Sequence, residues 1–122
     1  MTTESRLVLT LVATVFMLGA APGLAENAVI ADPDHYKVEL ENDSVRVVRV
    51  KYGPGEKSVM HDHDDYVVVY VTDVKGKFTM PDGSTEEAGG KAGETDFREA
   101  HTHLPENTGT EAFEVILIEI KK

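Results

Sequence analysis

From Tyr36 onward the chain is a succession of short segments rich in β-branched and aromatic residues, broken every few positions by Gly, Pro, Asn or Asp. No stretch after the first 25 residues carries a 3.6-residue apolar period bounded by helix caps, so strand is the regular structure this pattern supports. Tyr36–Glu41 alternates polar with apolar, Asn42-Asp43 turns the chain, and Ser44–Tyr52 forms a second strand. Gly53-Pro54-Gly55 ends it. Ser58–His63 then leads into Tyr66–Thr72, whose nearly uninterrupted Val and Tyr predict a strand buried on both faces. Gly76–Met80 and Ser84–Ala88 flank Pro81-Asp82-Gly83, an Asp-Gly hairpin signal. Thr95–Arg98 and Ala112–Ile120 complete the set, with a turn at Asn107–Gly109. Glu26–His35, which contains Pro33, reads as a frayed lead-in, and Phe78, Met80, Phe97 and Phe113 read as core.

Short strands separated by tight turns, without a linker or a fixed repeat, predict one all-β domain of the antiparallel sandwich or barrel kind. The chain has no cysteine, so no disulfide can brace it. A domain of about 97 residues has a marginal core. Closing the sheet, dimerising or binding a metal would each add stability.

The first 25 residues read as an address. A short polar start ends at Arg6, Leu7–Ala21 is mainly apolar, and Gly23-Leu24-Ala25 places small residues where a signal peptidase reads. The apolar run, about 15 residues, is shorter than the roughly 20 a spanning helix needs. We expect a signal peptide over 1–25, cleavage after Ala25, a mature domain over 26–122, and export to the periplasm or beyond the cell. No membrane association is expected once the signal is removed.

The net charge is −10, and removing the leader leaves it unchanged because Glu4 and Arg6 cancel. Such a balance repels phosphate backbones, so nucleic acid is not an expected partner.

Two His-x-His tripeptides carry the chemistry: His61-Asp62-His63 and His101-Thr102-His103. In a strand, residues two apart share a face, so each pair can aim two imidazoles at one point. Neutral imidazole is a good ligand for Zn, Cu, Fe or Ni. His103 is the natural third arm for His61 and His63. The alternative is a set of solvated surface histidines among Asp62, Asp64 and Asp65.

In Gly55-x5-His61-x-His63 and His103-x3-Asn107 the chain resembles the cupin superfamily, and the order of strands and glycines extends that resemblance over residues 26–122. It implies an antiparallel jelly-roll β-barrel with a divalent transition metal (Fe, Zn, Mn, Cu or Ni) inside, and it gives His61, His63 and His103 the three histidine roles. Three departures stand out. Val67 and Val68 occupy the positions of the family's glutamate ligand, the first-motif glycine is displaced to Gly76, and Arg98-Glu99-Ala100 replaces the Pro-x-Gly before the second-motif histidine.

Water, Asp65, His101 and Tyr66 are the candidates for the open coordination position, with Tyr66 better suited to lining a cavity. Asn107 is expected to tie down backbone groups at a barrel turn, and Glu106 to be a charged turn residue rather than a general base. The resemblance leaves two functional readings. One is a small metal-dependent oxygenase, since the family includes three-His dioxygenases. The other is a non-catalytic module that holds a metal or small-molecule ligand. By the same analogy a homodimer is expected to form through an edge strand, Tyr36–Glu41 or Ala112–Ile120.

Overall fold

The computed structural model describes residues 25–122. The leader assigned to residues 1–25 lies almost wholly outside them. In chain order the elements are α1 (Ala28–Ala31), β1 (Tyr36–Glu41), β2 (Val45–Tyr52), β3 (His61–His63), β4 (Tyr66–Tyr70), β5 (Val74–Thr79), β6 (Thr85–Gly90), β7 (Thr95–Arg98), β8 (His101–Asn107) and β9 (Phe113–Ile120). Every pairing between strands is antiparallel. One sheet has the order β1-β2-β9-β4-β7 and the other β3-β8-β5-β6. Together they make an all-β jelly-roll barrel. No helix among the described residues is long and apolar enough to cross a membrane.

The inner faces of the two sheets meet in one core. From the five-stranded sheet come Tyr36, Val48, Val50, Tyr52, Tyr66, Val68, Phe113, Val115 and Leu117; the four-stranded sheet contributes His61, His63, His103 and Asn107. Period-two alternation decides this, since β9 buries Phe113, Val115, Leu117 and Glu119 and turns the residues between them outward. Gly55, at φ 75°, provides the left-handed turn that leads the chain towards β3. A Cβ on Gly76 would stand 2.9 Å from the carbonyl oxygen of Glu106, so this position needs glycine for β5 to lie against β8.

Four expectations are corrected. The segment before Tyr36 is docked rather than frayed: Ala28 is fully buried, and the amide of Asp62 donates to the carbonyl of Glu26 at 2.8 Å. β4 is buried on one face only, with Val67 and Val69 half-exposed outside. Phe97 is 51% exposed on the outer face of β7 and is not core. β9 is an interior strand between β2 and β4, so it offers no free edge, whereas β1 does.

Candidate metal centre

The register of β3 on β8 sets His61 opposite His103 and His63 opposite His101. All four share the inward parity of their strands. His61, His63 and His103 are buried, and one ring nitrogen of each lies within 4.8 Å of the others. Their rings meet edge to face with centroids 4.8 to 4.9 Å apart.

Hydrogen bonds fix which nitrogen of each ring faces the centre. His63 Nδ1 lies 3.3 Å from Glu119 Oε1 and must donate to that carboxylate. Ser58 Oγ gives its hydrogen to Asp32 Oδ2 at 2.6 Å, so it accepts from His61 Nδ1 at 3.3 Å. His101 Nδ1 donates to the carbonyl of Glu99 at 2.7 Å, so its neutral ring presents Nε2 as an acceptor to His103 Nδ1 at 3.1 Å. In this arrangement each Nδ1 carries a hydrogen, and each Nε2 directs a lone pair inward.

Two observations show that this donor set fits a cation. His61 Nε2 and His63 Nε2 are 3.0 Å apart, and two lone pairs at that distance repel unless a positive centre lies between them. Ligand atoms about 2.1 Å from one ion are about 3.0 to 3.4 Å apart when their angle at it lies between about 90° and 109°. His103 Nε2 is buried with no hydrogen-bond partner, a desolvation cost that a metal bond would offset.

The electrostatics agree. Burial, reinforced by neighbouring His63, lowers the His61 pKa to about 3, and the same causes in the same order push His103 well below the ordinary histidine range. Both are therefore neutral, ligand-competent imidazoles at physiological pH. Burial alone would raise the Glu119 pKa, but hydrogen bonds from His63 and Arg46 bring it below the usual carboxylate value. Arg46 Nε donates to Glu119 Oε2 at 2.6 Å. Glu119 is therefore an anion that orients His63.

The structure separates the candidates for further ligation. Asp65 points away, accepting from the Ala100 amide at 2.8 Å and pairing with Lys122. His101 is bonded through Nε2 to His103, which makes it the orienting partner of a donor. Tyr66 packs against His63 with ring centroids 5.0 Å apart. Val67 points to the outer face, and Val68 lines the cavity, where it provides no donor. Asn107 binds backbone, donating to the carbonyl of Glu111 at 2.9 Å and accepting from the Gly109 amide at 2.9 Å. Glu106 pairs with Lys77.

Beside the imidazoles the barrel holds a small cavity of about 70 Å³ that opens to the outside. Tyr36, Tyr52, Tyr66, Tyr70, Phe78 and Phe113 wall it, and Arg98 is the one guanidinium on its lining. Burial raises the pKa of Tyr36, Tyr52 and Tyr66 above the ordinary phenol value, so these side chains are hydrogen-bond donors rather than bases.

The architecture recurs in solved structures. A cupin domain from Bordetella pertussis Tohama I superposes with a TM-score of 0.66 at 29% identity, covering 71% of this chain and 92% of that one. The chain has the cupin fold. An RmlC-like cupin from Methanocaldococcus jannaschii matches at a TM-score of 0.58 and 12% identity, covering 70% and 78% of the two chains. The polyketide cyclase RemF from Streptomyces resistomycificus matches at 0.53 and 16%, covering 71% and 64%. At these lower identities the likeness is one of fold. No protein-family model matches the chain, and no curated protein sequence does.

Among the residues that hold this site, sequence reasoning missed Asp32, Ser58 and Glu119. Only Glu119 carried a local signal, as the one carboxylate in register with Phe113, Val115 and Leu117 on the apolar face of its strand.

Proposed function

We propose that this protein binds a divalent transition metal through Nε2 of His61, His63 and His103, and that the metal faces a small-molecule cavity. The orphaned, buried His103 Nε2 is the observation that carries the reading. Fe, Zn, Mn, Cu and Ni all suit imidazole donors. Three neutral ligands cancel none of a 2+ charge, so a bound ion would supply Lewis acidity and open positions for an anionic or electron-rich ligand.

The surrounding residues suit a ligand with a flat apolar body and one polar end. The aromatic walls exclude water and stack on the body. Tyr66 and Tyr70 offer hydroxyl donors, and Arg98 adds positive charge at the lining. The catalytic form of this reading is a small-molecule dioxygenase of the three-His kind. The second reading, a non-catalytic ligand-binding module, is favoured by the absence of a carboxylate at Val67 and Val68 and by phenols held too firmly protonated to act as bases. With the leader removed after Ala25, the protein would work in the periplasm or outside the cell.

Elemental analysis of untagged protein from the exported fraction should find about one metal per chain, and His61→Ala or His63→Ala should abolish it. Full stoichiometry in either variant would refute the site. Oxygen uptake by the loaded protein with small aromatic or diketone substrates separates the oxygenase from the binding module, which takes up none.

A further inference from the structure

Of the three arginines among the described residues, two are committed to carboxylates. Arg46 pairs with Glu119 at 2.5 Å, and Arg49 with both Glu39 and Glu114. Arg98 is held far more loosely. Its one carboxylate contact among the described residues runs from Nε to Asp96 Oδ2 at 3.4 Å, and the Asp96 side chain is half in solvent. A charge-assisted bond of this kind is ordinarily about 2.7 to 2.9 Å. The chain has 22 acidic residues against 12 basic ones, so carboxylates are not scarce, and a guanidinium left this loosely paired is the exception.

Its position in the barrel makes the exception useful. β7 is the end strand of its sheet, and its register on β4 sets Arg98 opposite Tyr66 and Asp96 opposite Val68. Tyr66 and Val68 are buried on the inner face, so Arg98 and Asp96 share that inward parity at the rim of the barrel. β6 ends the other sheet, and its Ala88 and Gly89 line the same cavity as Arg98, which carries the cavity to the seam between the sheets. Behind that seam the walls are Tyr66, Val68, Tyr70 and Phe78. The charge of Arg98 acts inside the barrel. Burial raises the pKa of Tyr66 and Tyr70 and Arg98 counters it; burial lowers His101 and His103, and Arg98 adds to that lowering.

We propose that the cavity binds a short-chain carboxylate, with its hydrocarbon body between Tyr66, Val68 and Phe78 and its charged end on the guanidinium of Arg98. This deepens the small-molecule cavity proposed above and rests on it, but it does not require the metal. The planar fork of a guanidinium matches the two oxygens of a carboxylate, and the apolar walls favour an anion that carries hydrocarbon over an inorganic one. At about 70 Å³ the space is less than half the roughly 150 Å³ that holds benzene, which narrows the body to a chain of about three or four carbons. Asp96, on the same face two residues back, is the counter-ion that the ligand displaces.

Isothermal titration of the untagged protein as isolated, with metal content measured on the same sample, tests this with sodium butanoate up to about 50 mM. Butanoate should bind once per chain, and its neutral and cationic counterparts, butanamide and butylammonium, at least about 10-fold more weakly. Arg98→Gln should weaken butanoate at least about 10-fold, and Arg98→Lys, which keeps the charge without the fork, should fall between. Asp96→Asn should tighten it by up to about fivefold, the reverse of what loss of a structural contact would do. Arg98 is half-exposed on an end strand, so these variants should keep the native circular dichroism. No butanoate binding up to the highest concentration overturns the proposal. So does an affinity that Arg98→Gln and Arg98→Lys leave unchanged, or inorganic phosphate that binds as tightly as butanoate. Arg98-dependent binding in a sample without metal upholds this inference and removes the metal; one metal per chain with butanoate binding indifferent to Arg98 does the opposite.

Discussion

At the level of single residues the site depends on which nitrogen each imidazole presents, and that is set by groups one bond further out. Glu119 holds His63, His101 holds His103, and the pair Asp32 and Ser58 holds His61. Replacing Glu119 by Gln leaves an acceptor for the His63 Nδ1 hydrogen but removes the negative charge that makes His63 a stronger donor. Metal affinity should fall about 10- to 100-fold with stoichiometry unchanged, as read by competition against a chromophoric chelator. His101→Ala should likewise keep one metal per chain at weaker affinity, whereas His103→Ala should lose it; an empty His101→Ala protein would make His101 a ligand. The three central histidines were legible because residue parity within a strand is a local property. Their supports were not, because Glu119 lies 56 residues from His63 in the chain, and only the strand order makes them neighbours. Asp32 was hidden for another reason. Pro33 and the weak pattern around it marked a loose segment, when burial of Ala28 and the Asn27 cap on α1 fix it against β3.

Elements defined by their own alternation and turn chemistry were readable. β1 and β7 have the limits the pattern gave them, and the Asp82-Gly83 hairpin closes between β5 and β6, with Gly83 at φ 86°. What could not be read was neighbourhood. The apolar richness of β9 is the same whether a strand sits at an edge or in the middle, and only pairing with both β2 and β4 decides for the middle. β8 was not among the strands the pattern gave, because pairing with β3 and β5 builds it through a segment of weak strand propensity. The end of β8 gives a test at this scale. Asn107 is 1% exposed and bridges the carbonyl of Glu111 and the amide of Gly109, while its own backbone bonds Gly55 and Glu56 across the turn. Asn107→Ala removes both side-chain bonds at this turn, each worth about 0.5 to 1.5 kcal/mol where water reaches part of the site. Chemical denaturation should therefore show a loss of about 1 to 3 kcal/mol. A loss below about 0.5 kcal/mol would mean that the turn holds itself.

For the whole molecule, the same burial that readies the histidines for a metal makes the metal-free protein sensitive to acid. In the unfolded chain an imidazole takes up its proton near its ordinary value of about 6.5. In the folded chain His61 does so only at about 3, and His103 is shifted in the same direction. Between those limits the unfolded state binds more protons than the folded one, so stability falls as pH falls from about 6.5, by up to about 1.4 kcal/mol per pH unit for each imidazole. His35 acts in the opposite sense. Burial would lower its pKa, but the Asp32 and Glu56 carboxylates raise it, so its contribution is present below about 6.5 and is lost as pH rises through its folded value. With three depressed imidazoles, His61, His101 and His103, against one raised, the net slope in the acid range is destabilising. A melting curve of chelator-treated protein should drop steadily from neutral pH towards acid. In a His61→Gln variant, which removes one of the depressed groups, that slope should be shallower. A saturating metal should raise the melting temperature most near neutral pH, with a gain of about 2.7 kcal/mol at a hundredfold excess over its dissociation constant, and the gain should shrink in acid because the ion competes with protons for the same nitrogens. A metal-free melting temperature that is flat from neutral pH to about pH 4 would show that these imidazoles are solvated rather than held neutral inside the barrel.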